Sequence, residues 1–310
     1  MIKKIKVTTE DQGERLDKFL VKYYPQLSRS QIQKAIKDGL ILINDNHENK
    51  HYSLEEGDII KSEIKAKDYK IAAPNLSKNK KIKLDIIFED ENYLVINKQA
   101  NLIVHPSSSH PENDTLINGV IAHYPKIKSV GEDPARPGIV HRLDKEVSGL
   151  IALTKTENAF EDLKSQFKNR KVYKEYIALV HGVMSEKNGK INFNIERSKT
   201  KGFKMAARPD QTGKEAVTEY DVIKEYNNYS LLKVIIHTGR THQIRVHLSA
   251  LGHPVVGDRV YKPRNLKTRI ELDRIFLHSH KLEFTNLESE KVKYTAELPE
   301  ELNGLLKTLD

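Results

Sequence analysis

The sequence predicts an α+β protein built in two parts. The first 64 residues hold two helix-period segments and then two short β-rich runs. The following stretch, "KAKDYKIAAPNLSKNKKIK", is polar and lysine-rich, which is typical of a linker. From Leu84 onward, strand-like and helix-like patterns alternate almost to the end. We therefore predict a small domain at residues 1–66, a linker at residues 67–83 and a larger domain at residues 84–310.

The overall charge favours a polyanionic partner. The chain has 310 residues, enough for two hydrophobic cores, and 52 Lys and Arg against 43 Asp and Glu give a net charge of +9. Such an excess favours nucleic acid first and acidic membrane surfaces second, although an ordinary basic surface also accounts for it.

The absence of cysteine narrows the chemistry. Without it there are no disulfides, thiolate zinc sites or cysteine nucleophiles, which fits a reducing cytoplasm. The N-terminal "MIKKIKVTTEDQGE" lacks the apolar core of a signal peptide, and no apolar run approaches the length of a membrane span. We expect a soluble, cytoplasmic protein without a membrane partner.

Two helices are predicted in the first domain. In "ERLDKFLVKYY" the apolar residues Leu16, Phe19, Leu20 and Tyr23 recur at helical spacing. The second helix begins at Ser28, with Gln31 completing a capping box, and ends at Gly39. Its inward face consists of Ile32, Ala35 and Ile36. The runs "LILIND" and "GDIIKSEI" that follow predict short strands.

The outward face of the second helix is a candidate RNA contact. Arg29, Gln33 and Lys37 recur every four residues, and Lys34 adds another positive charge. Such a row can lie along a phosphate backbone and gain affinity by counterion release. An ordinary solvated helix face is the alternative.

The order of these segments favours RNA binding. "RLDKFL", "SRSQIQKAIKDGLILIN" and "LEEGDII" resemble the αL RNA-binding module of a small-subunit ribosomal protein and of tyrosyl-tRNA synthetases. The resemblance covers about fifty residues, from Gly13 to Ile64. It implies that Arg29, Lys34 and Lys37 contact RNA.

A candidate catalytic carboxylate lies in "GIVHRLDKEVSGLIALTKT". The β-branched residues after Gly138 predict a strand, and "GLIALT" predicts a second one. Alternation along the first strand places Arg142 and Asp144 on the same face, with Asp144 at the strand end.

The chemistry open to Asp144 follows from its ionisation. Aspartate has an ordinary pKa of about 3.9, so the carboxylate is expected to be charged at neutral pH and able to act as a nucleophile or base. A structural Arg–Asp pair that closes a turn is the alternative. A single carboxylate without a neighbouring acid disfavours a glycosidase acid/base pair.

Two later segments supply further candidates. "KVYKEYIALVHG" alternates as a strand and carries Tyr176, whose ring is either core or a stacking platform for a base. In "HTGRTHQIRVHLSALGHPVVGD" we predict a helix from an N-cap at Thr241 to Gly252. The buried stripe would be Ile244, Leu248 and Leu251. His242 and Arg245 would share another face, near the helix N-terminus.

Neither a metal nor a cofactor is expected. His242, His247 and His253 are not at the i, i+4 spacing of a helical zinc site, and no motif glutamate accompanies them. The sequence has no phosphate-binding P-loop and no GxGxxG segment.

Three ordered motifs identify a family resemblance. "HRLDKEVSG", "KEYIALVHG" and "GRTHQIRVHLSALGHPVVGD", behind the αL module, resemble the RluA-type RNA pseudouridine synthases from about Leu84 to Pro299. The nearest sub-type is the one that modifies large-subunit ribosomal RNA. The resemblance implies the pseudouridine synthase fold, with a mixed, mainly antiparallel sheet. It also implies a cofactor-free reaction that breaks the N-glycosidic bond, rotates the uracil and rejoins it through carbon.

The resemblance also implies residue roles. Asp144 matches the catalytic aspartate, which acts on the target uridine at the sugar or at the base. Arg142 matches the arginine that helps to extrude and replace the flipped nucleotide, Tyr176 the tyrosine that packs on the base, and Arg245 the basic partner of the carboxylate. His242 is expected to contact RNA.

Two other functions stay open from the sequence. One is a non-catalytic RNA-binding or ribosome-assembly factor that keeps the scaffold, and the other is a synthase directed at transfer RNA. Large-subunit ribosomal RNA is the expected partner, and a monomer is the expected state. The sequence does not identify the target uridine.

Overall fold

The structure is a computed structural model. It describes residues 3–24, 27, 29–64, 76–106, 114–198, 204–263, 266, 270 and 272–309, apart from the side chains of Arg29 and Ser30. The chain divides into two compact units, Met1–Asn75 and Leu76–Asp310, which are considered separately. Within the described ranges, no helix has the length and apolar character needed to cross a membrane.

The first unit packs two helices against a small antiparallel sheet. Its elements are β1 (Lys3–Lys6), α1 (Leu16–Tyr23), α2 (Arg29–Lys37), β2 (Ile41–Ile43) and β3 (Ile59–Ser62). The strand order is β1-β3-β2. Apolar residues at helical spacing on α1 and α2 fill the core, and Leu16, Phe19 and Ile32 are fully buried. Both predicted helices are therefore confirmed, and Gly39 follows α2 with a φ of +78°.

The outward face of α2 is only partly as predicted. Lys34 and Lys37 are exposed. Gln33 is half-buried, because its amide donates a 2.6 Å hydrogen bond to Asp17 and accepts one of 3.2 Å from Lys50. The predicted cap at Ser28 and the side chain of Arg29 lie outside the described residues.

The second unit is built on one large mixed sheet. Its strands are β4 (Ile86–Glu89), β5 (Tyr93–Lys98), β6 (Ser148–Thr154), β7 (Tyr173–His181), β8 (Asn188–Ile191), β9 (Asn194–Arg197), β10 (Met205–Arg208), β11 (Thr218–Tyr226), β12 (Tyr229–Ile236), β13 (Leu277–Thr285) and β14 (Lys291–Thr295). Its helices are α3 (Leu116–His123), α4 (Glu157–Lys168), α5 (Gln243–Ala250) and α6 (Glu300–Lys307).

The order of the large sheet is β4-β5-β6-β13-β7-β12-β11-β8, with β14 also paired to β13, whereas β9 and β10 form a separate two-stranded sheet. Among the described strands, β6 and β13 form a parallel pair, and the other pairs are antiparallel. The α+β class with a mixed, mainly antiparallel sheet is confirmed.

Helices cover both faces of the sheet at β5 and β6. Every residue of β6 is buried. On β5, Leu94 and Ile96 pack in one core with Ile117 of α3. Tyr93, which points to the opposite face, packs in a second core with Leu163 of α4. The half of the predicted linker from residue 76 onward belongs to this unit, since Leu76 is buried in its core.

A close backbone approach joins β6 to β13. Ser279 pairs with Gly149, and a Cβ at Gly149 would collide with the backbone of Ser279. Gly149 also has a φ of +108°, which disfavours other residues. This contact brings the loop before β6 beside the start of β13.

The predicted strand from Gly138 does not form. Ile139 makes one isolated bridge to Leu153, and the chain then runs as an extended loop to β6. The β-branched residues favour extension, and β13 pairs with β6 only at Ser148 and Gly149, but the pairing stops after Ile139 because the backbone N–H of Ala152 donates to Nε2 of His141 at 2.9 Å. Asp144 therefore lies on a loop and not at a strand end.

The helix α5 differs from the prediction at its start. Its N-cap is His242, with a left-handed φ of +57°, and not Thr241. The side-chain oxygen of Gln243 accepts hydrogen bonds from the Thr238 hydroxyl and the Arg240 N–H, which delays the start of the helix by one residue. Ile244 and Leu248 are buried as predicted, and Gly252 has the expected positive φ. Leu251 is exposed, because it lies at the helix C-cap.

Candidate active site

A small, open cleft of about 100 Å³ lies in the second unit. Three parts of the fold form it: the loop from Arg142 to Val147, Tyr176 on β7, and the segment from Ile236 to Arg245 that joins β12 to α5. Leu277 at the start of β13 contributes an apolar wall. The cleft is therefore lined by both charged and apolar side chains.

Asp144 is the carboxylate of this cleft. Its side chain is 17% exposed. Oδ2 accepts a hydrogen bond of 3.3 Å from Nη1 of Arg245, whose side chain is 2% exposed. Nε2 of His242 lies 3.8 Å from the same oxygen. Asp144 is thus partly shielded from water and faces two nitrogen-bearing groups.

Arg245 is held more tightly by a second carboxylate, Asp258. Its Nε and Nη2 donate hydrogen bonds of 2.7 and 3.1 Å to Asp258. Burial opposes the charge of Arg245, but the hydrogen bonds and charge of Asp258 outweigh it and raise the arginine pKa. Burial alone would raise the pKa of Asp258, yet the bonds from Arg245 lower it. Both groups are therefore charged at neutral pH.

Tyr261 connects this pair to His242. Its ring centroid lies 5.3 Å from Cζ of Arg245, within the range of a cation–π contact. Its hydroxyl is 2.8 Å from Nδ1 of His242. Burial lowers the pKa of His242, while the negative charge of Asp144 opposes that shift. The imidazole thus presents Nε2 to Asp144 from a fixed orientation.

Tyr176 supplies the aromatic surface of the cleft. It is buried on β7, and its hydroxyl is hydrogen-bonded to Ser279. Burial raises the pKa of this hydroxyl, so it stays neutral at physiological pH. A base lying in the cleft would find a ring whose position is fixed by the sheet.

Two arginines line the cleft without an ion-pair partner in the described part of the chain. Arg142 is exposed on the loop two residues before Asp144. Arg240 is half-exposed, and its Nε donates a 2.9 Å hydrogen bond to the carbonyl oxygen of Glu215. Such groups can meet phosphates of a bound polynucleotide.

A buried lysine supports the loop that carries Asp144. Nζ of Lys98, at the end of β5, donates to the carbonyl oxygens of Gln99, Leu102 and Lys145 at 2.9, 2.9 and 3.2 Å. Burial, aided by the charge of Arg274, lowers the pKa of Lys98 to about 7.

The cleft unites most of the residues singled out from the sequence. Arg142, Asp144, Tyr176, His242 and Arg245 all line it. Lys34 and Lys37 lie in the first unit, on the exposed side of α2.

The three histidines considered for a metal have separate partners. His247 bonds Thr218 and the carbonyl oxygen of Phe193, and His253 bonds the carbonyl oxygen of His181. His242 faces Tyr261. Across the residues that the structure covers, no group of three or more histidine or carboxylate side chains has the geometry to hold a metal ion.

Two residues that support the cleft, Asp258 and Lys98, were not predicted from the sequence. Asp258 is the last residue of the quoted segment "GHPVVGD", and only its proximity in space to Arg245 distinguishes it. A lysine inside the apolar run "YLVINK" is a signal that could have indicated Lys98, since a buried ammonium needs several acceptors.

Comparison with known proteins points to one family. Residues 92–250 match the RNA pseudouridylate synthase family, and residues 14–60 match the S4 domain. An uncharacterized RNA pseudouridine synthase of Bacillus subtilis is 37% identical to this chain, and the match covers 98% of this chain and 97% of the relative. The ribosomal large subunit pseudouridine synthase D of Haemophilus influenzae is 36% identical over 98% of this chain and 93% of its own. Among solved structures, human RNA pseudouridylate synthase domain containing 1 covers 73% of this chain and 94% of its own, with 26% identity and a TM-score of 0.58.

Proposed function

Because the chain belongs to the RNA pseudouridine synthase family of isomerases, we propose that it isomerises specific uridines of large-subunit ribosomal RNA with Asp144 as the catalytic carboxylate. The observation that carries the proposal is the 3.3 Å contact between Asp144 and the buried Arg245 inside a cleft that also holds Tyr176. The relatives named for the ribosomal large subunit, such as that of Haemophilus influenzae, support the choice of RNA.

The reaction is an isomerisation that balances without a co-reactant. The bond between C1′ and N1 of uridine breaks, the uracil rotates, and a bond between C1′ and C5 forms. The proton on C5 leaves and N1 gains one, so no electrons are gained or lost and no cofactor is needed. Asp144 acts either at the sugar or at the base ring, and both routes need its charged form.

The base must leave the RNA stack to reach Asp144. A flipped uracil can pack on the ring of Tyr176, and the apolar Leu277 on the neighbouring strand lines the same cleft. Arg142, exposed on the loop beside the cleft, is placed to take the position that the nucleotide leaves. Unstacking costs a few kcal/mol, which these contacts would offset.

Arg245 would keep the carboxylate in place. Its guanidinium is fixed before substrate arrives, so it can balance charge on Asp144 without reorganising during the reaction. Nε2 of His242 lies 3.8 Å from Oδ2 of Asp144, where it can contact the ribose or phosphate of the same nucleotide.

The first unit would dock RNA outside the cleft. Its match to the S4 domain and the exposed Lys34 and Lys37 on α2 support this role. We propose that the protein acts in the cytoplasm, where a ribosomal RNA substrate would be met. We also propose a monomer, because one chain supplies every residue named here.

The test is Asp144→Asn, assayed for RNA binding and for pseudouridine formation in ribosomal and transfer RNA. We expect wild type to form pseudouridine in large-subunit RNA, and the variant to bind RNA with similar affinity but form none. If wild type modifies no RNA, the protein is an RNA-binding or ribosome-assembly factor and not an enzyme. If it modifies transfer RNA alone, the reaction stands and the substrate is wrong.

A further inference from the structure

The carboxylate of Asp258 is fully buried and saturated with hydrogen bonds. Its side chain has 0% exposure. Oδ1 accepts from the backbone N–H groups of Val260 and Tyr261 at 2.8 and 2.9 Å and from Nη2 of Arg245 at 3.1 Å. Oδ2 accepts from Nε of Arg245 at 2.7 Å. The carboxylate has no accessible surface to offer a substrate, so any part in the reaction passes through Arg245.

The geometry of the guanidinium makes this contact directional. Its three nitrogens lie in one plane, so fixing Nε and Nη2 on one carboxylate also fixes where Nη1 points. Nη1 is the nitrogen 3.3 Å from Asp144, and it also lies 3.9 Å from Glu146. The two short bonds to Asp258 therefore determine the longer one to Asp144.

Asp258 itself is fixed by its turn. Gly257 before it has a φ of +80°, and a Cβ there would collide with the carbonyl oxygen of Arg274. The two backbone N–H groups that bind Oδ1 hold the side chain against the following residues. The carboxylate is anchored to the backbone outside α5, whereas Arg245 projects from that helix.

We propose that Asp258 is a positioning residue for the reaction: it orients Arg245 and balances its charge, so that Asp144 meets the guanidinium through one nitrogen only. The inference rests on the proposed function of Asp144. With Arg245 already paired, Asp144 keeps negative charge to use on the uridine. Without Asp258 the guanidinium of Arg245 would be free to rotate towards Asp144 and bind it through two nitrogens.

Asp258→Asn tests this directly, because asparagine keeps the size but removes the charge. We expect kcat for pseudouridine formation to fall by about 100-fold, the order of loss for a misplaced catalytic group, with KM and RNA affinity within about twofold of wild type. Asp273→Asn is the matched control, since Asp273 forms an exposed pair with Arg259 at 3.3 Å; it should leave kcat unchanged.

A purely structural role predicts otherwise. The melting temperature of Asp258→Asn would fall while the kcat of the folded fraction stayed at the wild-type value, and that result would overturn the proposal. If Asp258→Asn does not fold, Asp258→Glu replaces it. Glutamate keeps the ion pair but shifts the fork by one methylene, so a tenfold or greater loss of kcat supports positioning and a wild-type kcat refutes it. Wild type and Asp144→Asn are assayed alongside; an inactive wild type refutes the proposed function, not the role of Asp258.

Discussion

The ammonium group of Lys98 donates a 3.2 Å hydrogen bond to the carbonyl oxygen of Lys145, the residue that follows Asp144. Its other two bonds go to Gln99 and Leu102, next to β5. One buried side chain therefore ties the loop of the candidate catalytic residue to the central sheet.

Replacing Lys98 with Met should loosen that loop. Three carbonyl groups, of which that of Leu102 is buried, would lose their donor, so we expect the free energy of unfolding to fall by about 2–4 kcal/mol and kcat to fall with it. Urea titration and a turnover assay measure the two effects. The control is Lys187→Met, because Lys187 is 69% exposed and pairs with Glu225, and its change should stay within about 0.5 kcal/mol. Wild-type stability and turnover in Lys98→Met would show that the loop does not depend on this lysine.

The ring of Tyr176 should matter for turnover more than for folding. Tyr176→Leu removes the stacking surface, and we expect kcat/KM to fall by roughly 10-fold or more, since base stacking contributes about 1–3 kcal/mol. Tyr220→Leu is the matched control: Tyr176 and Tyr220 are both 7% exposed in the same core, but only Tyr176 lines the cleft. The two variants should lose similar stability in thermal unfolding. Equal turnover in the two folded variants would argue against stacking.

His278 should make the second unit sensitive to acid. Nε2 bonds the carbonyl oxygen of Ala296 at 3.0 Å, so Nδ1 is left to accept from the hydroxyl of Ser148 at 2.8 Å. Burial, with a smaller contribution from Arg274, lowers the pKa of His278 to about 4. The unfolded chain titrates near 6.5, so the stabilisation is complete above pH 6.5 and is lost as pH falls towards 4.

This linkage can be measured by urea titration at pH 7 and pH 5. His278 should contribute about 2 kcal/mol to the fall in the free energy of unfolding between the two values. His278→Gln should reduce the fall by that amount, whereas His237→Gln, at an exposed position, should not. An unchanged pH dependence in His278→Gln would mean that this histidine is not held neutral.

The exposed lysines of α2 should set part of the salt dependence of RNA binding. Lys34→Ala with Lys37→Ala should weaken binding and flatten the plot of log affinity against log salt by roughly 0.7–0.9 per lost phosphate contact. Lys22→Ala is the control, because Lys22 is already paired with Asp11 and Glu14 at 3.4 and 2.7 Å. If the double variant shows the same slope of log affinity against log salt as wild type, α2 does not contact the RNA.

Local apolar patterns were enough to predict several elements. The helices α1 and α2 follow from apolar residues at helical spacing, which the core of the first unit then uses. The strands β6 and β7 were also predicted from local pattern, but they are buried along almost their whole length, without a periodic exposed face. The predicted strand after Gly138 failed because pairing is not a local property. Its residues suit extension, but in the folded chain the ring of His141 accepts the backbone N–H of Ala152 that a longer pairing with β6 would need.

The site shows the same limit. The five residues that the motifs singled out, Arg142, Asp144, Tyr176, His242 and Arg245, line one cleft, and their roles stay predictions. The two residues that hold these side chains in place, Lys98 and Asp258, could not be predicted from the motifs. Lys98 acts through backbone carbonyl groups, so its only signal in the sequence is a lysine at the end of an apolar run. Asp258 is distinguished only by the folded position of Arg245.

The central claim is that Asp144 forms pseudouridine in large-subunit ribosomal RNA. The most direct measurement maps pseudouridines in all RNAs of a strain that lacks this protein, complemented with wild type or with Asp144→Asn. We expect a small set of sites in large-subunit RNA to disappear, to return with wild type and to stay absent with the variant. If no site in large-subunit RNA disappears from the strain that lacks the protein, or if Asp144→Asn restores the sites that disappear, the proposed role of Asp144 is contradicted.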